Sequence, residues 1–298
     1  MQTPRYEELP TWNAENRRTF ATALIQDMAT TTNGDPNQWL YGLSRFLLQD
    51  DEFALPQEPL SGEVMPVIAG SLLESVPRTG GYLRAIQRAA QANSAIDAGC
   101  GPSAVLALGI AVFHPRAEIF AYELSQPSAR CAAGIVDLLG FNDRITVIAD
   151  NVLTTPLPNV DLGVTETFNH GLATEPGVKI AHRLSSVSGV ILPAKAVMYA
   201  QVGPYDRAPW HKVDVIDFAE GREIVRGELP SNFRGEQSVS VRAEYLDTNN
   251  GVVIDCDSIA SPLAIGTVDV PRVGGTVGFE YPVGHSATLT VARLWAAD

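Results

Sequence analysis

Cysteine is scarce in this chain: Cys100, Cys131 and Cys256 are the only three among 298 residues, and they lie far apart. No CxxC pair occurs, so neither a disulfide framework nor a zinc fold is expected. His114, His182, His211 and His285 also lack ligand spacing, and no metal site is expected. Lysine is rare too, supplying only three of 21 basic residues (Lys179, Lys195, Lys212). Against 34 acids this leaves a net charge of −13. That sign opposes phosphate backbones and anionic bilayers, so nucleic acid and membrane are not expected partners. No apolar run approaches the ~18 residues that a membrane-spanning helix needs. The opening MQTPRYEELP lacks the shape of a signal peptide. With the odd, scattered cysteines, this gives the expectation of a cytoplasmic protein.

What is present suffices for real cores. Hydrophobic residues make up 45% and charged residues 18%, enough for one large domain or two small ones. The first zone, residues 1–93, reads as a helical lid region. Asn13 leads into a helix over Arg17–Ala29, with Phe20, Leu24, Ile25 and Met28 on one stripe. A second helix covers Trp39–Leu48, started by Asp35-Pro36. Asp50–Gly62 reads as a loop, and helices over Glu63–Val76 and Tyr82–Gln91 are separated by Pro77 and Gly80-Gly81.

In the second zone, 94–201, short apolar runs alternate with helical stretches. Strands are predicted at Ala95–Asp97, Glu118–Tyr122, Ile145–Ala149, Asp161–Thr165 and Val190–Leu192. Helices are predicted at Ala104–Phe113, Ser128–Leu139 and Val178–Ser186. This rhythm implies a parallel, doubly wound α/β sheet. The third zone, 202–298, has period-2 runs at Ser238–Tyr245, Gly251–Asp255, Thr276–Tyr281 and Ala287–Trp295. It reads as an antiparallel β domain for substrate.

The strongest chemical signal is Ala95-Ile-Asp-Ala-Gly-Cys-Gly-Pro-Ser103. An apolar strand ends at Asp97, and Gly99 and Gly101 then turn into a helix. Such a turn lets a ligand approach the backbone and the helix N-terminus, although an ordinary strand-to-helix turn has the same look. Glu123, after the second strand and about two dozen residues on, is placed to accept two ribose hydroxyls. Asp150-Asn151, after the third strand, is placed to read an adenine edge. Each acid alone fits a solvated strand end. Together they lie on one rim, the ligand-binding edge of a doubly wound sheet.

These residues resemble a class I S-adenosylmethionine-dependent methyltransferase, with its Rossmann-like domain. Nicotinamide enzymes usually carry G-x-G-x-x-G, whereas this turn is G-x-G-P-S-A, ending at Ala104. The resemblance implies S-adenosylmethionine as cofactor and S-adenosylhomocysteine as product. It implies that Asp97, Gly99, Cys100 and Gly101 line the methionine part, Glu123 and Leu124 the ribose, and Asp150 and Asn151 the adenine. Val164-Thr-Glu-Thr-Phe-Asn-His-Gly-Leu-Ala-Thr-Glu-Pro176 places Glu166 and Glu175 nine residues apart. This is similar to the double-glutamate loop of protein arginine methyltransferases. Gly189-Val-Ile-Leu-Pro-Ala-Lys-Ala-Val-Met-Tyr199 resembles the strand that follows in that family. The chain departs from the family in Pro176, in the absence of a T-H-W loop, and in a β half short for a full barrel with a dimerisation arm. The expectation is therefore a small-molecule enzyme on the same plan, in secondary metabolism, with an arginine methyltransferase as the alternative. A homodimer is allowed for.

Methyl transfer is an in-line displacement that needs an aligned nucleophile and a proton acceptor. Glu166, on the rim and beside the cofactor, is expected to orient the acceptor, steady developing positive charge or take a proton. His170 and Glu175 are further catalytic candidates, as base and clamp. A backbone-bonded loop histidine and a helix N-terminal acid are the competing readings. His211 and the tyrosines Tyr6, Tyr41 and Tyr205 are candidate pocket walls. Trp12, Trp39, Trp210 and Trp295 are expected in the core. The N-terminal helices are expected to close over the cofactor. A dehydrogenase and a non-catalytic cofactor-binding scaffold are the readings from other classes.

Overall fold

The computed structural model describes residues 4–31, 33–54, 71–168, 172, 176–204, 208–222, 224–254, 263–271, 275–283 and 292–297. His170, Glu175 and Tyr205 lie outside them. The chain divides into two compact units, 1–166 with 183–192, and 167–182 with 193–298.

The first unit is built on a parallel sheet of β1 (Ser94–Ala98), β2 (Glu118–Glu123), β3 (Ile145–Ala149), β4 (Val160–Thr165) and β5 (Ser188–Leu192). Its order is β3-β2-β1-β4-β5, so the winding reverses between β1 and β4. The register aligns Ala98 with both Tyr122 and Thr165, and Glu123 with Ala149. All the C-terminal strand ends thus lie on one rim, and the point of reversal falls beside Gly99. The doubly wound α/β expectation holds, and each predicted strand is present to within two residues at either end.

The helices of this unit follow from local chemistry. α1 (Ala14–Thr30) starts where Asn13 accepts the Asn16 N–H at 2.8 Å, and its stripe Phe20, Leu24, Ile25 and Met28 is buried. α2 (Asp35–Ala54) runs past Asp50, which corrects the loop reading at residues 50–54; residues 55–62 lie outside the described residues. α3 is a single turn, Ser71–Glu74, and most of the helix predicted over Glu63–Val76 lies outside the described residues.

α4 (Val76–Arg88) is one helix where a break was predicted at Pro77 and Gly80-Gly81. Pro77 stands in the first turn, where a missing N–H costs nothing. Gly80 is there for close approach: a Cβ on it would meet the Met28 carbonyl oxygen at 3.1 Å. α5 (Val105–Phe113) is apolar throughout, and α6 (Gln126–Leu138) completes the helices of this unit; α7 (Gly177–Ser185) belongs to the second unit up to residue 182 and to the first from 183. Arg144 caps α5 by donating to the Ala111 and His114 carbonyls at 2.7 and 3.4 Å. His114 is fully buried, its Nδ1 accepting from the Ala92 N–H and its Nε2 donating to the Ile86 carbonyl.

The second unit is antiparallel, as expected. One sheet orders β10 (Val252–Ile254), β9 (Gly235–Leu246), β6 (Lys195–Val202) and β7 (His211–Asp217), with β11 (Leu263–Val270) also on β9. The other orders β13 (Arg293–Ala297), β12 (Thr276–Pro282) and β8 (Ile224–Pro230). Met198, Tyr245, Val225, Leu229, Val277 and Phe279 are buried, and Phe168 stacks on Phe218 at 5.0 Å and packs on Tyr245. The segment Gly189–Tyr199, read as one strand, is two: β5 ends at Leu192, and β6 begins at Lys195 in a different sheet. Pro193 has no N–H to continue a ladder. Trp39 is buried as expected, but Trp295 is 42% exposed. It lies over Gly278, where any Cβ would strike its ring.

Candidate functional site

β1 ends at Ala98 and the chain turns through Gly99 (φ 80°) and Gly101 (φ 62°), backbone angles that suit glycine. The Gly99 and Cys100 N–H groups donate to the Tyr122 carbonyl at 2.9 and 3.0 Å, tying the turn to β2. Ala104, the residue before α5, also has positive φ (48°), and it offers the helix no side-chain cap.

The cap comes from the neighbouring strand. Asp97 Oδ2 accepts the Ala107 N–H at 2.9 Å, in the first turn of α5. Asp97 is wholly buried, and its Oδ1 has no hydrogen-bond partner. Burial is the main cause pushing its carboxyl up to about 7; the Ala107 bond opposes the shift and the Glu123 charge adds to it. Burial likewise holds the Cys100 thiol well above its ordinary range, with the charges of Asp97 and Glu123 adding. That thiol is neutral and unreactive.

Glu123 ends β2 at 9% exposure. Its Oε2 accepts the Gly101 N–H at 2.9 Å and its Oε1 the Ser125 N–H at 2.8 Å. The carboxylate predicted for a ribose therefore also clamps the glycine turn. Leu124 follows, half-buried. Asp150 is exposed after β3, and its carboxylate is kept below its ordinary value by the Thr155 hydroxyl and then by the Asn151 N–H. The Asn151 side chain accepts the Leu153 N–H at 2.9 Å.

Glu166 follows β4, with its side chain 10% exposed and ion-paired to Arg78 of α4. Four residues on, and so on the same helix face, Tyr82 donates its hydroxyl to the Thr165 carbonyl at 3.0 Å. The Thr165 hydroxyl reaches the Ala98 carbonyl at 2.9 Å. One face of α4 thus grips the end of β4, and β4 grips the end of β1. Arg78 and Tyr82 were not among the predicted site residues. Reading a helix break at Pro77 hid their i, i+4 spacing, which was the available signal.

The structure thus brings Asp97, Gly99, Cys100, Gly101, Glu123, Asp150 and Glu166 to one rim of the parallel sheet. His211 begins β7, in the second unit. Tyr6 donates its hydroxyl to the Trp39 carbonyl. Among the described residues, no cluster of His, Cys, Asp and Glu is suited to a metal ion. No helix among them is long and apolar enough to cross a membrane.

No protein-family model matches this sequence, and no curated protein does. Its fold has solved counterparts. A Trypanosoma brucei PRMT1 enzyme–prozyme heterotetrameric complex with AdoHcy contains a chain 16% identical, with a TM-score of 0.58, over 78% of this chain and 98% of that one. PRMT6 is 12% identical with a TM-score of 0.53 over 78% and 98%, and PRMT6-SAH is 13% identical with a TM-score of 0.52 over 78% and 99%. The parallel sheet β3-β2-β1-β4-β5 followed by antiparallel sheets is therefore the architecture of a PRMT-like methyltransferase fold.

Proposed function

We propose that this chain is an S-adenosylmethionine-dependent methyltransferase that yields S-adenosylhomocysteine. The observation that carries the reading is the charge of the glycine turn. In a dinucleotide site the turn and the helix N-terminus offer free N–H groups to a pyrophosphate. Here Ala107 and Gly101 already donate to Asp97 and Glu123. An anion would face the buried Glu123 carboxylate and oppose the ionisation of Asp97, whereas a sulfonium ligand would be drawn to both groups. The likeness to a fold solved with AdoHcy in another protein supports the same reading.

In this reading the turn Gly99-Cys100-Gly101 lines the methionine part above Asp97, Glu123 and Leu124 meet the ribose, and Asp150 and Asn151 meet the adenine. The bound cofactor supplies an electrophilic methyl group. Glu166 holds the acceptor in line with it, offsets the positive charge that grows on the acceptor, and takes its proton. Arg78 balances Glu166 and keeps it from swinging into solvent. His170 and Glu175 are proposed as a further base and clamp.

The acceptor is a nucleophilic nitrogen or an electron-rich aromatic carbon of a small molecule. A second reading, arginine in a peptide, is favoured by one observation: the Glu166 carboxylate already receives a guanidinium, that of Arg78. Thermal unfolding tests the cofactor. At a hundred times its dissociation constant, S-adenosylhomocysteine stabilises the folded chain by about 2.7 kcal/mol, and NAD and NADP do not. Stabilisation by a dinucleotide alone refutes the reading. Labelled methyl donor offered with panels of small amines, indoles and arginine peptides then separates the two acceptor classes.

A further inference from the structure

Two carboxylates meet where the glycine turn enters α5, and they are unequally satisfied. Glu123 has both oxygens on backbone N–H groups, at 2.9 and 2.8 Å. Asp97 has one oxygen on Ala107, while Oδ1 meets no donor although the residue is 0% exposed. A buried carboxylate with an empty oxygen is costly as an anion, and a second carboxylate nearby makes it costlier. Either a proton on Oδ1 or a positive charge close by relieves it.

Among the described residues, the elements that carry and flank the turn do not supply that charge. β2 contributes Glu123, an anion, and Tyr122, a neutral phenol that burial, and then the Asp150 charge, push further above its ordinary range. The turn contributes the neutral Cys100 thiol. α5 carries no ionisable side chain over Val105–Phe113. β4 presents Val164 and Thr165, and beyond them the charge of Glu166 is already matched by Arg78.

We infer that the glycine turn exchanges a proton for a positively charged ligand: Asp97 is protonated when the turn is empty and ionised when a cation sits against it. The inference rests on the methyltransferase reading and adds which form of the ligand the turn prefers. The methyl donor carries a sulfonium cation, and the thioether product does not. Donor binding sends the Asp97 proton to solvent. Once the methyl group has left and the sulfur is neutral, Asp97 takes a proton back from solvent. The turn thereby holds donor more tightly than product, and the preference grows as pH rises through neutrality. Because the carboxyl is pushed up to about 7, the exchange falls in the range where cells work.

Calorimetry of the wild-type chain at pH 6, repeated in buffers of different ionisation enthalpy, tests this. S-adenosylmethionine is expected to release about one proton, and S-adenosylhomocysteine clearly less. Donor affinity should rise about fivefold from pH 6 to pH 7 and level off above pH 8. Asp97→Asn should flatten that rise. Because this variant also alters the α5 cap, infrared spectroscopy of the wild type serves as a second measurement: the protonated-carboxyl band of the empty protein should bleach when donor is added. Donor and product that bind with equal or no proton release overturn the inference and leave the methyltransferase reading standing. If neither ligand binds, both fall.

Discussion

Truncating Glu123 tests two functions of one side chain. Its carboxylate accepts the Gly101 and Ser125 N–H groups at 2.9 and 2.8 Å and is 9% exposed. Glu123→Ala leaves both donors without a partner in a site with little access to water. An unpaired buried donor costs about 1–3 kcal/mol, so the pair costs about 2–6 kcal/mol, a sizeable share of an ordinary domain's stability. At about 2–4 °C per kcal/mol for a unit of this size, the melting temperature should fall by roughly 4–24 °C. Glu123→Gln keeps an oxygen for one donor but turns an NH2 toward the other, and should lose about 1–3 kcal/mol. In the proposed function both variants also lose a charged acceptor for the ribose, so S-adenosylhomocysteine should bind about ten- to a hundredfold more weakly. Urea unfolding followed by circular dichroism gives the stability, and calorimetry on folded protein gives the affinity. A Glu123→Ala variant as stable as the wild type refutes the clamp. Unchanged affinity in a folded variant removes Glu123 from the ribose site.

Glu166→Gln should lower single-turnover methyl transfer by about 10² or more while leaving cofactor affinity nearly unchanged; a wild-type rate sinks its role. Ala104 holds a left-handed conformation, so Ala104→Val should cost about 2–3 kcal/mol in urea unfolding and Ala104→Gly no more than about 1; equal losses from both would mean the conformation is not retained in solution. The folded state keeps a proton on Asp97 that the unfolded chain gives up, so this residue's contribution to stability should decline as pH rises from its ordinary 3.8 through about 7, and the decline should vanish in Asp97→Asn. His114 acts in the opposite direction: burial lowers its ring below the ordinary 6.5, so stability should fall as pH drops through and below that value.

The parallel half was legible because its signals are local. A five-residue apolar strand, a turn that only glycine enters easily and a short apolar helix leave few alternatives, and Ala95–Phe113 folds as its pattern suggests. Long-range packing was not legible. Gly80 looks like a helix breaker in sequence and is tolerated because α1 lies close against it. Pro193 sits within an apolar run, and only the sheet pairing reveals that the strands on either side belong to different sheets. At the site, the acids at the strand ends could be read from spacing. Their bonds could not: nothing in the sequence says that Asp97 caps a helix ten residues on, or that Glu123 holds the turn it follows. Arg78 and Tyr82 went unnoticed for the same reason, since their partners are more than eighty residues away.

The placement of the tryptophans makes the chain its own optical reporter. Trp39 of α2 is 9% exposed, its ring edge-on to Phe20 and its Nε1–H donating to the Pro4 carbonyl. Trp295 of β13 lies against Gly278 of the neighbouring strand and is 42% exposed. An indole in a dry aromatic nest emits toward the blue and is shielded from acrylamide. One on a wet sheet face emits toward the red and is quenched readily. Since Trp12 and Trp39 belong to one unit and Trp210 and Trp295 to the other, fluorescence from a Trp210→Phe, Trp295→Phe double variant and from a Trp12→Phe, Trp39→Phe double variant would follow each unit separately during unfolding. The cooperativity between the halves becomes measurable without attaching any dye.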